Sequence, residues 1–179
     1  FVNTRNVGRL LIGNTVIGNG SDPDKPFEYT ITFTGSGMGK TYAYRISDGT
    51  EGTIQSGDKL ALKHGQTVTI AGIAKGTAYN VVQTDYTADE YTTEPADRTS
   101  EGVIAEDQIA EAHYVNARYL PGTLALEATP KKVPGDGNTP SELTATLTDT
   151  ESQPVKGKEI VFKLKDGTGI LATTADIAE

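Results

Sequence analysis

The chain lacks cysteine and tryptophan and holds a single methionine. Without cysteine there is no disulfide, no thiolate nucleophile and no cysteine-based zinc site. No apolar run is long enough to cross a bilayer, and no secretory leader is recognisable. These two absences leave a cytoplasmic chain or an excerpt from a longer protein. Positive charge is also short: 16 basic against 24 acidic side chains give a net charge of −8. That balance argues against sequence-independent binding to nucleic acid or to an anionic membrane surface. Helical periodicity is missing from every long stretch.

What remains is a pattern of strands and turns. The 179 residues suffice for one large or two small domains, and 20 glycines and 8 prolines supply turns. Period-two alternation recurs. Tyr29, Ile31 and Phe33 share one face of EYTITFT, opposite Thr30, Thr32 and Thr34. Leu60 pairs in parity with Leu62, Val68 with Ile70, and Tyr79 with Val81. Clusters such as NGSDPDKP, GSGMGK and SDGTEG separate these runs. EDQIAEAHY reads either as a helical turn or as the lead into a strand.

TGSGMGKTY, residues 34–42, imitates a phosphate-binding loop. The required glycine five residues before the Gly of Gly-Lys-Thr is absent, because Thr34 stands there. Tyr42, Tyr44 and Ile46 then continue as a strand, so the spacing predicts a glycine-rich hairpin loop.

FVNTR at residues 1–5 is echoed by YVNAR at 114–118. Each precedes a fresh strand pattern, as the last strand of a β domain would at a junction. The expected organisation is a terminal strand or linker over 1–6, a complete domain over 7–119 and a second over 120–179. Within the central segment three amides break the alternation. Asn14 shares parity with Leu10, Ile12 and Val16, Gln83 with Tyr79 and Val81, and Asn116 with Tyr114. An unpaired buried amide costs roughly 1–3 kcal/mol, so the three either satisfy one another or bond to backbone or water.

The stretches GRLLIGNTV, DKPFEYTITF, GTIQSGDKLALKHGQTVTIAGI, GTAYNVVQTDYTADEYTT and HYVNARY make residues 8–119 resemble the isopeptide-linkage domain of Gram-positive pilins and adhesins. The resemblance implies an Ig-like β-sandwich, one of a tandem series forming a stalk on the cell wall. It also implies a lysine–asparagine bond welding first strand to last. A buried lysine loses its proton and attacks the asparagine amide while a neighbouring carboxylic acid shuttles protons. In the resembled pattern the lysine falls at Asn14, the acid at Gln83 and the acceptor at Asn116. This sequence keeps only the acceptor. No isopeptide bond is therefore expected in the central domain, and a hydrogen-bonded amide cluster takes its place. Lys25 and Lys40 fall in loop-like stretches away from the reactive position. Asn3 matches the acceptor of a preceding domain and is expected to be unreacted.

LALEATPKKVPGDGNTPSELTATLTDTESQPVKGKEIVFKL, residues 124–164, resembles the invasin-type bacterial Ig-like domain. Pro154 and Gly157 match its turn into a core strand. About 100 residues are usual for such a sandwich, so this second domain is expected to be incomplete.

Other motifs are decoys. LPGT at Leu120–Thr123 lacks the glycine and hydrophobic tail of a sorting signal and reads as a linker. His64 and His113 are isolated, and SDPD and PGDGN lack calcium-loop spacing, so no metal is expected. Asn19-Gly20-Ser21 is a formal glycosylation sequon of little weight. The expectation is all-β tandem modules without enzymatic activity or cofactor: a structural stalk of a cell-wall-anchored, extracellular adhesin or pilin-like protein. Its partners would be neighbouring domains. The alternatives are a module binding a host extracellular protein or glycan, or an accessory domain of an extracellular enzyme.

Overall fold

The computed structural model describes residues 6–155 and 158–163. Among these described residues twelve strands run in order: β1 (Val7–Ile17), β2 (Phe27–Thr34), β3 (Thr41–Ile46), β4 (Glu51–Gln55), β5 (Lys59–Leu62) and β6 (Thr67–Ala74). β7 (Ala78–Gln83), β8 (Thr92–Glu94), β9 (Thr99–Val103), β10 (Ile109–Ala117), β11 (Pro121–Thr129) and β12 (Glu142–Asp149) follow. The fold divides into two compact units between Arg118 and Tyr119.

In the first unit, a six-stranded sheet ordered β4-β3-β6-β1-β10-β8 accompanies a four-stranded sheet ordered β5-β2-β7-β9. The period-two residues supply the core between them. Leu10, Ile12, Ile31, Val68, Ile70 and Val81 are wholly buried, each contributing roughly 1.5–3 kcal/mol of apolar transfer free energy. Ile70 and Ile73 both reach the core despite odd spacing, because the β1–β6 ladder pairs Gly8 with Ile73 and Arg9 with Ala71, skipping Gly72. First and last strands lie side by side and parallel. Their register runs from Arg9↔Ile109 to Ile17↔Ala117.

Three local expectations resolve differently or more sharply. Residues 35–40 do not close a hairpin, since β2 and β3 belong to different sheets. They cross between sheets through a 3₁₀ turn at Gly35–Gly37, and Gly37 is needed there because a Cβ would lie 2.3 Å from Thr77 Cγ2. The strand β3 follows directly, so no helix N-terminus faces the glycines. LPGT is not a linker: Pro121–Thr123 opens β11, paired with the end of β12. The ambiguous EDQIAEAHY supplies most of β10.

In the second unit, β11 and β12 form an antiparallel pair with Leu124 opposite Leu147, Leu126 opposite Ala145 and Ala128 opposite Leu143. Asp149 shapes the turn that follows, accepting backbone N–H bonds from Glu151 and Gln153 through Oδ1, and Pro154 then bridges to Thr148. Gly157 lies outside the described residues.

Candidate functional site: a buried amide cluster

β1 and β10 are neighbours in one sheet, and β7 belongs to the other. Alternation turns Asn14, Asn116 and Gln83 from these strands inward, where all three are buried. They meet. Asn116 Nδ2 donates to Asn14 Oδ1 at 2.9 Å and to Gln83 Oε1 at 3.0 Å. Gln83 Nε2 donates back to Asn116 Oδ1 at 2.7 Å. Gln83 and Asn116 thus form a reciprocal amide pair joining the two sheets, and Asn14 extends it to the first strand. Asn14 Nδ2 donates to the Leu62 carbonyl at 3.0 Å.

Thr93 on β8 completes the cluster, a residue that the sequence motifs do not single out. Its hydroxyl donates to Asn116 Oδ1 at 2.8 Å and accepts from Gln83 Nε2 at 3.0 Å. The one signal for it is parity, since Thr93 follows buried Tyr91 by two residues. Both amide protons of Asn116 and both of Gln83 are therefore engaged, which removes the desolvation penalty of burying them.

Aromatic rings seal this polar patch. Tyr29 and Tyr114 pack with centroids 4.9 Å apart, and Tyr114 donates to the Val81 carbonyl at 2.7 Å. The Tyr29 hydroxyl is buried beside the Asn116 amide, which partly favours its ionised form, and makes no well-aligned hydrogen bond among the described residues. Burial pushes both phenols well above the ordinary tyrosine range, and neighbouring tyrosines add to the cost of ionising each.

The cluster itself has neither a nucleophilic amine nor an acid. Lys25 is held elsewhere, 3.0 Å from Asp89 Oδ2 and 4.9 Å from the Tyr86 ring centroid. Lys40 is exposed in the loop before β3. Asn3 lies outside the described residues. His64 Nδ1 accepts the Val16 N–H at 2.9 Å, and His113 contacts Glu111 at 3.1 Å. Asp22 and Asp136 serve their own turns by accepting nearby backbone N–H groups. Among the described residues no three His, Cys, Asp or Glu side chains gather as a metal site would need, and no helix is long and apolar enough to cross a membrane.

Comparison with known proteins returns one family and one fold. The family described as "Domain of unknown function (DUF7601)" matches residues 8–118. No curated protein matches the chain. Among solved structures, the major pilin from Streptococcus pyogenes is similar at 20% identity and a TM-score of 0.56, over 64% of this chain and 49% of the pilin. A pilus-presented adhesin is similar at 21% identity and a TM-score of 0.53, over 64% of this chain and 28% of the adhesin. The chain thus spans less than half the length of either neighbour, and the likeness is one of fold. The family match covers nearly the whole first unit: the chain belongs to the DUF7601 family.

Proposed function

We propose that this chain is a structural spacer of a Gram-positive surface protein, exposed outside the cell and joined in series to neighbouring domains. In this reading it performs no catalysis. Asn14 and Gln83 stand where isopeptide-forming domains carry lysine and acid, and Asn116 stands at the acceptor position. In this reading hydrogen bonds in the first unit take the place of the covalent weld that the resemblance to isopeptide-linkage domains implies. Asn3 would be the acceptor of a preceding domain, and residues 120–179 part of an invasin-type Ig-like domain.

The observation that carries the reading is the amide cluster set beside a parallel first and last strand. Arg9 and Ala117 lie at opposite ends of that ladder, roughly 27 Å apart for nine paired residues. Tension applied through the chain on either side would shear β1 against β10, loading the whole ladder at once. Asn14, Asn116 and Gln83 tie the same two strands to each other and to the opposite sheet.

Intact mass tests the chemistry. The wild-type mass should equal that calculated from sequence, with no ammonia lost. The double variant Asn14→Lys/Gln83→Glu should restore the reaction: Lys Nζ attacks Asn116 Cγ, the new C–N bond forms and Nδ2 leaves as ammonia. A wild-type mass short by one ammonia, with a cross-linked peptide at Asn116, would refute the reading.

A further inference from the structure

Arg118 is the last residue of the first unit, immediately after β10. Its bonds are unlike those of an ordinary surface arginine. The backbone N–H donates to the Ile17 carbonyl at 3.0 Å, extending the β1–β10 ladder. Its carbonyl accepts the Gly20 N–H at 3.1 Å. The guanidinium donates from Nη1 to the Gly20 carbonyl at 2.7 Å and from Nη2 to Glu90 Oε2 at 2.9 Å. Gly18, at φ +100°, lets the loop approach so closely that a Cβ would sit 2.2 Å from the Arg118 carbonyl oxygen. The segment leaving β1 is thereby knotted around the residue at which the chain leaves the unit.

We propose that Arg118 is a mechanical clasp, resisting the separation of β10 from the end of β1 when the chain is pulled. This rests on the reading of the unit as a spacer under tension. In a sheared ladder, force concentrates at the ends where it is applied, and Arg118 occupies the C-terminal one. Its charge-assisted bonds to Gly20 and Glu90 must open before tension passes down the Ile17-to-Arg9 ladder. A lysine cannot reproduce the clasp, because one ammonium cannot span the two acceptors with the planar fork of arginine.

The absence of cysteine makes the test clean, since one introduced cysteine gives a unique handle. The full chain is held at its two ends in one geometry, and at its N-terminus and a Thr50→Cys handle in the other. Unfolding of the first unit is followed at constant force. Arg118→Ala should raise the unfolding rate roughly tenfold in the end-to-end geometry, the net effect of losing both guanidinium bonds, which solvent partly replaces, and leave the Thr50 geometry nearly unchanged. Arg118→Lys should recover only part of the resistance. Glu90→Gln, which keeps an acceptor oxygen but removes its charge, should give a smaller acceleration along the same axis. Equal acceleration in both geometries, or none in either, would overturn the clasp and make Arg118 an ordinary stabilising residue. If wild type itself unfolds equally easily along both axes, the spacer reading falls and takes the clasp with it.

Discussion

Strands β1 and β11 carry the same kind of message and meet different fates. Each sets large apolar residues two apart, Leu10, Ile12 and Val16 on one side of β1 and Leu124 and Leu126 on one side of β11. On β1, Leu10 and Ile12 are wholly buried beneath the opposite sheet. On β11, Leu124 is 58% exposed and Leu126 is 62% exposed, although they face the leucine and alanine of β12. Alternation therefore specifies a strand with two unlike faces, not burial of the apolar one. Burial needs a second layer, and among the described residues of the second unit the sheet is a two-stranded ribbon that does not provide it.

The comparison breaks most easily in the first unit. Ile12→Ala removes a wholly buried side chain from a close-packed core and should cost about 2–5 kcal/mol by chemical denaturation. Asn116→Ala should follow at about 2–4 kcal/mol, because it leaves the amides of Asn14 and Gln83 and the hydroxyl of Thr93 buried without their main partner. Replacing the amides together, as Asn14→Leu/Gln83→Met/Asn116→Leu, should cost less than the single change. An apolar patch has no orphaned donors. A triple variant worse than Asn116→Ala would mean that the amides also fix strand register.

Parity alone assigns Asn14, Gln83 and Asn116 to the apolar faces of their strands, and the buried sandwich is legible by the same alternation. What alternation does not encode is which strands share a sheet. Residues 35–40 read as a hairpin loop because two strands flank them, but β3 pairs with β4 and β6 and not with β2, a choice set by long-range packing. LPGT reads as a linker once it fails as a sorting signal, yet Pro121 sits at a strand's first position, where a missing N–H costs little. Thr93 and the Arg118 clasp are hidden in the sequence for one reason. A threonine or an arginine looks like any other until the fold brings its acceptors from distant residues.

Alkaline titration separates the units by a smaller effect. Tyr29 and Tyr114 are held neutral by burial, with their folded pKa raised. The stability this gives is fully present below the unfolded tyrosine pKa of about 10. It is lost as pH rises above that value, because the unfolded chain then sheds protons that the folded one keeps. The first unit should lose up to about 1.4 kcal/mol per pH unit for each tyrosine above pH 10. Tyr29→Phe, which also deletes a buried hydroxyl that makes no well-aligned hydrogen bond among the described residues, should flatten the slope by one proton with little loss of stability at pH 7. A slope unaffected by that change would mean another group governs alkaline unfolding.

The smallest effect is the most telling for the comparison. Leu126→Ala deletes as many atoms as a core leucine substitution would, but from a side chain already mostly in water. It should change stability by less than about 0.5 kcal/mol and should reduce binding of a dye that reports exposed apolar surface. If it cost as much as Ile12→Ala, the leucine face would have to be covered in solution. β11 would then be a core strand like β1, and the contrast between the two regions would disappear. With Ile12→Ala costly and Leu126→Ala nearly silent, the same two-residue spacing of large apolar side chains would be buried in one strand and exposed in the other according to whether a second sheet covers it.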